Sequence, residues 1–269
     1  MPRYFLEVSY KGTRYSGFQT QQNALTIQSE TEKALMVLAP VSAVAEEEAK
    51  EPIVLTGSSR TDAGVHALQN FFHFDVSVPV GEWRDISSKN QFLYKMNAIL
   101  PDDIVAKRLF RVKDDAHCRF DALSRTYHYF IYREKDPFLQ ERAYYFPYEL
   151  DMSKLQQAAD IIKEYSDFTS FSKRNTQVKT FNCKIIESQW VEEGKQIYYR
   201  VRANRFLRGM VRGLTGTMLK VGRGRLTINE FRDIIEAKDC TRASFAVPAA
   251  GLFLIQVEYP EQYFNESRN

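Results

Sequence analysis

Ile53-Val54-Leu55 runs through Thr56 into Gly57-Ser58-Ser59-Arg60-Thr61-Asp62-Ala63-Gly64-Val65-His66, and Phe72, Phe74 and Val76 follow in alternation. The apolar triplet reads as a short buried strand, the alternating phenylalanines as a second strand, and the polar stretch between them as a sharp loop. Gly64 tolerates a left-handed backbone, so the Asp62 carboxylate can stand at the head of that loop. Arg60, two positions earlier, brings a cation. On spacing alone, the same residues also fit a turn in which Asp62 is a local cap.

On the N-terminal side, Tyr4, Leu6, Val8 and Tyr10 alternate with Arg3, Phe5, Glu7 and Ser9, a strand with one face more apolar than the other. A turn-rich segment, Lys11 to Gly17, follows. Thr26 is placed to cap a helix whose buried stripe is Ile27, Thr31, Ala34, Leu35 and Leu38. Pro40 to Pro52, with Glu46, Glu47, Glu48 and Glu51, reads as an exposed acidic loop.

On the C-terminal side, Ile104 to Val112 is a strand, and the domain boundary is expected at its end. Thr126 to Arg133 alternates aromatic residues on both faces and reads as a strand covered on both sides. Asp151 caps a helix that buries Leu155, Ala158, Ala159 and Ile162. Ile197 to Ala203 is a strand leading into a helix from about Asn204. Thr227 and Glu230 form a capping box, and Phe253 to Val257 closes the pattern as a strand. The sum is an α+β protein with two related domains, residues 1–112 and 113–269.

The second segment that invites chemistry is Arg205-Phe206-Leu207-Arg208-Gly209-Met210-Val211-Arg212-Gly213-Leu214-Thr215-Gly216. As a helix continued to Met218 it puts Leu207, Met210, Val211, Leu214 and Met218 on one stripe and Arg205, Arg208 and Arg212 on another face. Glycine inside a helix costs about 1 kcal/mol relative to alanine, so Gly209, Gly213 and Gly216 require close approach of a ligand, a backbone or a packed helix.

Composition narrows the class. With 37 Lys and Arg against 34 Asp and Glu, the net charge of +3 says little, but the base gathered between Arg200 and Arg225 suggests a polyanion-facing surface. Cys118, Cys183 and Cys240 form no CxxC, and His66, His73, His117 and His128 have no metal-ligand spacing, so neither a disulfide framework nor a metal is expected. Nucleotide-binding and nucleophile-elbow motifs are missing. The absence of a signal-like start or a spanning apolar run predicts no membrane association and a cytoplasmic location.

Five blocks in order then carry a resemblance. Tyr10-Lys11-Gly12-Thr13-x-Tyr15-x-Gly17-Phe18-Gln19-x-Gln21, the Ser59 to Ala67 block, Arg125-Thr126-Tyr127-His128-Tyr129, Phe206-Leu207-x-x-Met210-Val211-Arg212, and Ala249-x-Gly251-Leu252 resemble the signatures of the tRNA pseudouridine synthase A family over nearly the whole chain. Phe18 stands where that family usually has Trp, and Gly57-Ser58-Ser59 where it often has Gly-Ala-Gly.

The resemblance implies two α/β halves sharing a central, mostly antiparallel sheet with flanking helices and a cleft between. It implies a homodimer acting on tRNA uridines at positions 38, 39 and 40 of the anticodon arm. The reaction is redox-neutral, so no cofactor is implied. Asp62 becomes the catalytic carboxylate, Arg212 its ion-pair partner, and Tyr127 the ring that stacks on the flipped uracil and helps remove the C5 proton. Arg60 fills the vacated space or holds the flipped phosphate. Leu252 packs on the other face of the base, and Arg202, Arg205, Arg208 and Arg223 contact phosphates. Two other classes share some of these features: a silent RNA binder, and an Asp-dependent N-glycosidase that would release free uracil.

Overall fold

The computed structural model describes residues 1–40, 52–174 and 178–264. The acidic segment from Glu46 to Glu51 lies outside them. The chain forms two compact units, Met1–Leu123 with the chain from Val257 onward, and Ser124–Gln256. The first unit extends beyond residue 112 because the following segment bonds to it: Cys118 N–H donates to His73 Nδ1 at 3.3 Å and Leu123 N–H to the Glu258 carbonyl at 2.8 Å.

The first unit is built on strand β1 (Arg3–Tyr10), which pairs antiparallel with β3 (His66–Asp75) on one side and β4 (Ile104–Val112) on the other. The short β2 (Thr56–Gly57) adds to β3. β1 is more enclosed than its alternation suggests. Phe5 is fully buried against Tyr259 and Tyr263, and buried Glu7 receives Arg108 Nε at 2.5 Å. Helix α1 (Ile27–Leu38) starts at Thr26 in a reciprocal cap with Ser29, and its buried stripe is Ile27, Thr31, Ala34 and Leu35. Ile53 to Leu55 is not a strand. Its amides bond to α1 side chains instead, Leu55 N–H to Glu32 Oε1 at 3.0 Å and Ile53 N–H to Met36 Sδ at 3.4 Å. A second helix, α2 (Lys89–Ile99), is anchored by Asn97, whose amide bonds both the carbonyl and the N–H of Ala106 in β4.

The second unit has strands β5 (Ser124–Tyr132), β6 (Tyr144–Tyr145), β7 (Ile185–Glu193), β8 (Gln196–Ala203) and β9 (Leu252–Glu258), whose last residues pass into the first unit. Their order is β9-β5-β8-β7, and β5 and β7 both run antiparallel to β8. The short β6 runs parallel to β5. β5 is largely buried, as its two aromatic faces require. Helices α3 (Met152–Ile161), α4 (Met210–Gly222) and α5 (Ile228–Glu236) complete the unit. Asp151 caps α3, and Thr227 and Glu230 close the capping box of α5. The architecture is α+β with mostly antiparallel pairing.

The helix expected from Asn204 begins only at Met210, after Gly209 in the left-handed region at φ 76°. The Asn204 carboxamide oxygen instead accepts from Lys184 N–H and Arg205 N–H at 2.8 and 2.9 Å, which holds the chain in a loop. Arg205 and Arg208 therefore precede the helix, and only Arg212 of the three lies on it. No helix among the described residues is long and apolar enough to cross a membrane.

Candidate active site

Asp62 sits half-buried in the loop between β2 and β3, beside exposed Arg60. The loop owes its shape to backbone bonds and glycines. Val65 N–H donates to the Asp62 carbonyl at 3.2 Å, closing a turn in which Gly64 has φ 76°. The segment after β1 supports the loop from beneath. Phe18 N–H donates to the Thr61 carbonyl at 3.0 Å, and Gly12 N–H to His66 Nδ1 at 3.1 Å. A Cβ on Gly12 would overlap the carbonyl oxygen of Val65, so only glycine lets these two backbones meet.

That supporting turn is itself anchored. Asp103 accepts Tyr15 OH at 2.5 Å and Arg14 Nε at 2.7 Å through its two carboxylate oxygens, while its carbonyl takes Lys11 N–H at 2.9 Å. Partial burial opposes ionisation of Asp103, but the Arg14 and Tyr15 bonds outweigh it and hold the carboxyl below the usual range.

In the second unit, Tyr127 is buried on β5, and its ring meets the Phe206 ring edge-on at 5.1 Å. Arg212, half-buried on α4, donates from Nε and Nη2 to the Val247 carbonyl at 3.0 and 2.8 Å. Tyr129 OH donates to the neighbouring Pro248 carbonyl at 2.7 Å. Burial pushes that phenol far above its ordinary range, against the opposing charge of Arg212. Gly251 packs so closely on the Tyr129 ring and the Phe130 carbonyl that a Cβ would lie 2.8 Å from each. Arg212 and Tyr129 thus pin the segment that delivers buried Leu252 at the start of β9.

The remaining cations are spread out. Arg205 is half-buried and Arg208 exposed, and Lys173 N–H donates to the Arg208 carbonyl at 3.0 Å. The Lys173 stem lies over Gly209, a neighbour that no sequence motif marks. Arg202 shares Glu187 with Arg200, at 3.9 and 3.0 Å. Tyr127 pairs with Val201, so Arg202 is on the opposite face of its sheet from Tyr127. Arg223 caps the far end of α4, roughly 16 Å of helical rise from Arg212. Its guanidinium stacks 3.6 Å from the Tyr148 ring centroid. Gly213 and Gly216 meet Phe245 and the Ser244 carbonyl, so tight packing is their reason.

His73, His117 and Cys118 bring three potential metal ligands within 4.8 Å of one another. Both Nδ1 lone pairs already accept backbone amides, from Cys118 at 3.3 Å and from Arg119 at 3.1 Å. The first of these bonds ties β3 to the chain after Lys113, and the second lies within that chain segment.

Comparisons with known proteins identify the family. A family model described as tRNA pseudouridine synthase matches residues 165–260, covering the segment that holds Arg212. A tRNA pseudouridine synthase A of Parabacteroides distasonis is 44% identical over 264 residues, 98% of each chain. That of Porphyromonas gingivalis is 42% identical over 98% of this chain and 100% of its own, and that of Bacillus subtilis 37% over 94% and 97%. The class is that of the pseudouridine synthases. The chain belongs to the tRNA pseudouridine synthase A family.

Proposed function

We propose that the protein is an isomerase that converts uridine to pseudouridine in tRNA, at positions 38, 39 and 40 of the anticodon arm, and that it works as a cytoplasmic homodimer. The observation that carries the reading is the half-buried Asp62 on a turn braced by backbone bonds, within a chain similar from end to end to tRNA pseudouridine synthases A.

In the reaction, the bond from N1 of uracil to C1′ of the ribose breaks. The freed base turns, C5 bonds to C1′, and the C5 proton departs while N1 gains one. No electron is gained or lost overall. A base inside a stem cannot be reached, so the nucleotide must swing out at a cost of a few kcal/mol, which tRNA binding offsets. Asp62 begins as the ionised carboxylate, whether it attacks the sugar, attacks the base or removes a sugar proton. Arg212 is assigned as its ion-pair partner, Tyr127 and Leu252 as the surfaces that sandwich the uracil, and Arg60 as the group that fills the vacated stack or holds the flipped phosphate. Arg205, Arg208 and Arg223 take phosphates. Arg202, already committed to Glu187, contributes least.

Tritium release from tRNA labelled at uracil C5 tests the reading. Wild-type protein should release label without strand cleavage or free uracil, and Asp62→Asn should release none while still binding tRNA. Free uracil, or undiminished turnover by Asp62→Asn, would overturn it.

A further inference from the structure

Beneath the Asp62 loop lies a buried polar network centred on Asn70, a fully buried residue of β3. The Nδ2 group donates to Tyr10 OH at 3.1 Å and to the Ser59 carbonyl at 3.0 Å. The carbonyl oxygen accepts from Ser58 Oγ at 2.6 Å and from Phe71 N–H at 2.9 Å. Both donors and both acceptor positions of the amide are therefore used. Tyr10 OH in turn lies 2.8 Å from Thr61 Oγ1, the residue immediately before Asp62. The Thr61 carbonyl takes the Phe18 amide at 3.0 Å, so that residue is gripped at both its side chain and its backbone.

A buried network built around a fully satisfied amide rigidifies what it touches, because any displacement strands a polar group in an apolar surrounding. This one touches Ser58, Ser59 and Thr61 on one side and strands β1 and β3 on the other. We propose that Asn70, Tyr10 and Thr61 are positioning residues for the isomerisation, a hydrogen-bonded relay that fixes the direction in which the Asp62 carboxylate points. None of the three touches the substrate. Their effect falls on the chemical step, where a displacement of about 1 Å costs on the order of a hundredfold in rate, and not on tRNA affinity.

This inference rests on Asp62 being the catalytic carboxylate, and the experiment separates the two. Single-turnover tritium release and tRNA binding would be measured for Tyr10→Phe, Thr61→Val, Thr61→Ser and Asp62→Asn, with thermal melting as the folding control. Tyr10→Phe and Thr61→Val are near-isosteric and each deletes one hydroxyl of the relay. Both should slow the single-turnover rate at least tenfold with the dissociation constant for tRNA within twofold. Thr61→Ser restores the hydroxyl and should restore the rate to within threefold. Tyr10→Phe remains a test if Thr61→Val does not fold. Rates within twofold of wild type in Tyr10→Phe and Thr61→Val, or an equal loss in Thr61→Ser and Thr61→Val, would overturn the relay while a dead Asp62→Asn left the parent reading intact. An active Asp62→Asn would overturn both.

Discussion

Arg212 spends two of its donors, Nε and Nη2, on the single carbonyl oxygen of Val247. The guanidinium plane is thereby fixed against the segment that leads to Leu252. A lysine cannot reproduce that grip, because it offers one point charge on a flexible stem. Arg212→Lys should keep its charge and still lose at least tenfold in single-turnover tritium release. Activity within twofold of wild type would show that the fixed plane is irrelevant to the role proposed for Arg212.

Gly12 faces the Val65 carbonyl without room for a methyl group, whereas nothing lies within 4 Å of the Cβ position of Gly81. Gly12→Ala should destabilise the protein by about 2–4 kcal/mol in urea denaturation, because backbone must move on both sides. Gly81→Ala should stay within about 0.5 kcal/mol of wild type. Equal midpoints for the two variants would contradict the close approach.

His128 stacks on Tyr198 at 4.8 Å, and burial, with a smaller contribution from Arg200, lowers its proton affinity from 6.5 to about 4. The folded ring stays neutral where the unfolded ring takes a proton. The associated stability is therefore complete above pH 6.5 and is lost as the pH falls toward 4. Phenylalanine keeps the stacked ring and cannot titrate. Between pH 7 and pH 5, His128→Phe should lose roughly 1–2 kcal/mol less stability than wild type, allowing for water around a half-buried ring. Parallel losses in the two proteins would refute the assignment.

Exposed Arg208 and Glu187-bound Arg202 should differ in how salt affects tRNA binding. Removing one side chain that binds a phosphate reduces the slope of log affinity against log salt by about 1. Arg208→Gln should show that reduction, and Arg202→Gln should show little. The reverse order, measured by filter binding across a salt series, would reassign the phosphate-facing surface.

Elements with a local signal are legible from the residues alone. The caps at Thr26, Asp151 and Thr227 sit where the sequence puts them, since a cap is decided by a few neighbouring atoms. Helix α2 leaves little trace because only Phe92 and Met96 of its residues are buried, too few to establish a period. β7 is hidden for a similar reason, with its buried residues confined to Ile185, Ser188 and Trp190. A helix start at Asn204 is misleading because the periodic arginines mimic a helical face, whereas the chain there is held by the Asn204 side chain and breaks at Gly209. At the candidate site, the Asp62 turn is readable from Gly64. The bond from Arg212 to Val247 and the buried amide of Asn70 are not, because interactions between distant parts of a chain leave no spacing to read.

Strand β9 carries the chain out of the second unit and back into the first, where buried Tyr259 packs on Phe5 and Phe71 and its hydroxyl meets the Cys118 carbonyl. Vectorial synthesis on the ribosome therefore meets an awkward order. The N-terminal strands emerge first, yet their aromatic core stays unsealed until residue 259 has left the exit tunnel, by which time the whole intervening unit has had the opportunity to fold. Nascent chains stalled before Val257 should expose that core to proteases and chaperones even though most of its residues have already been made.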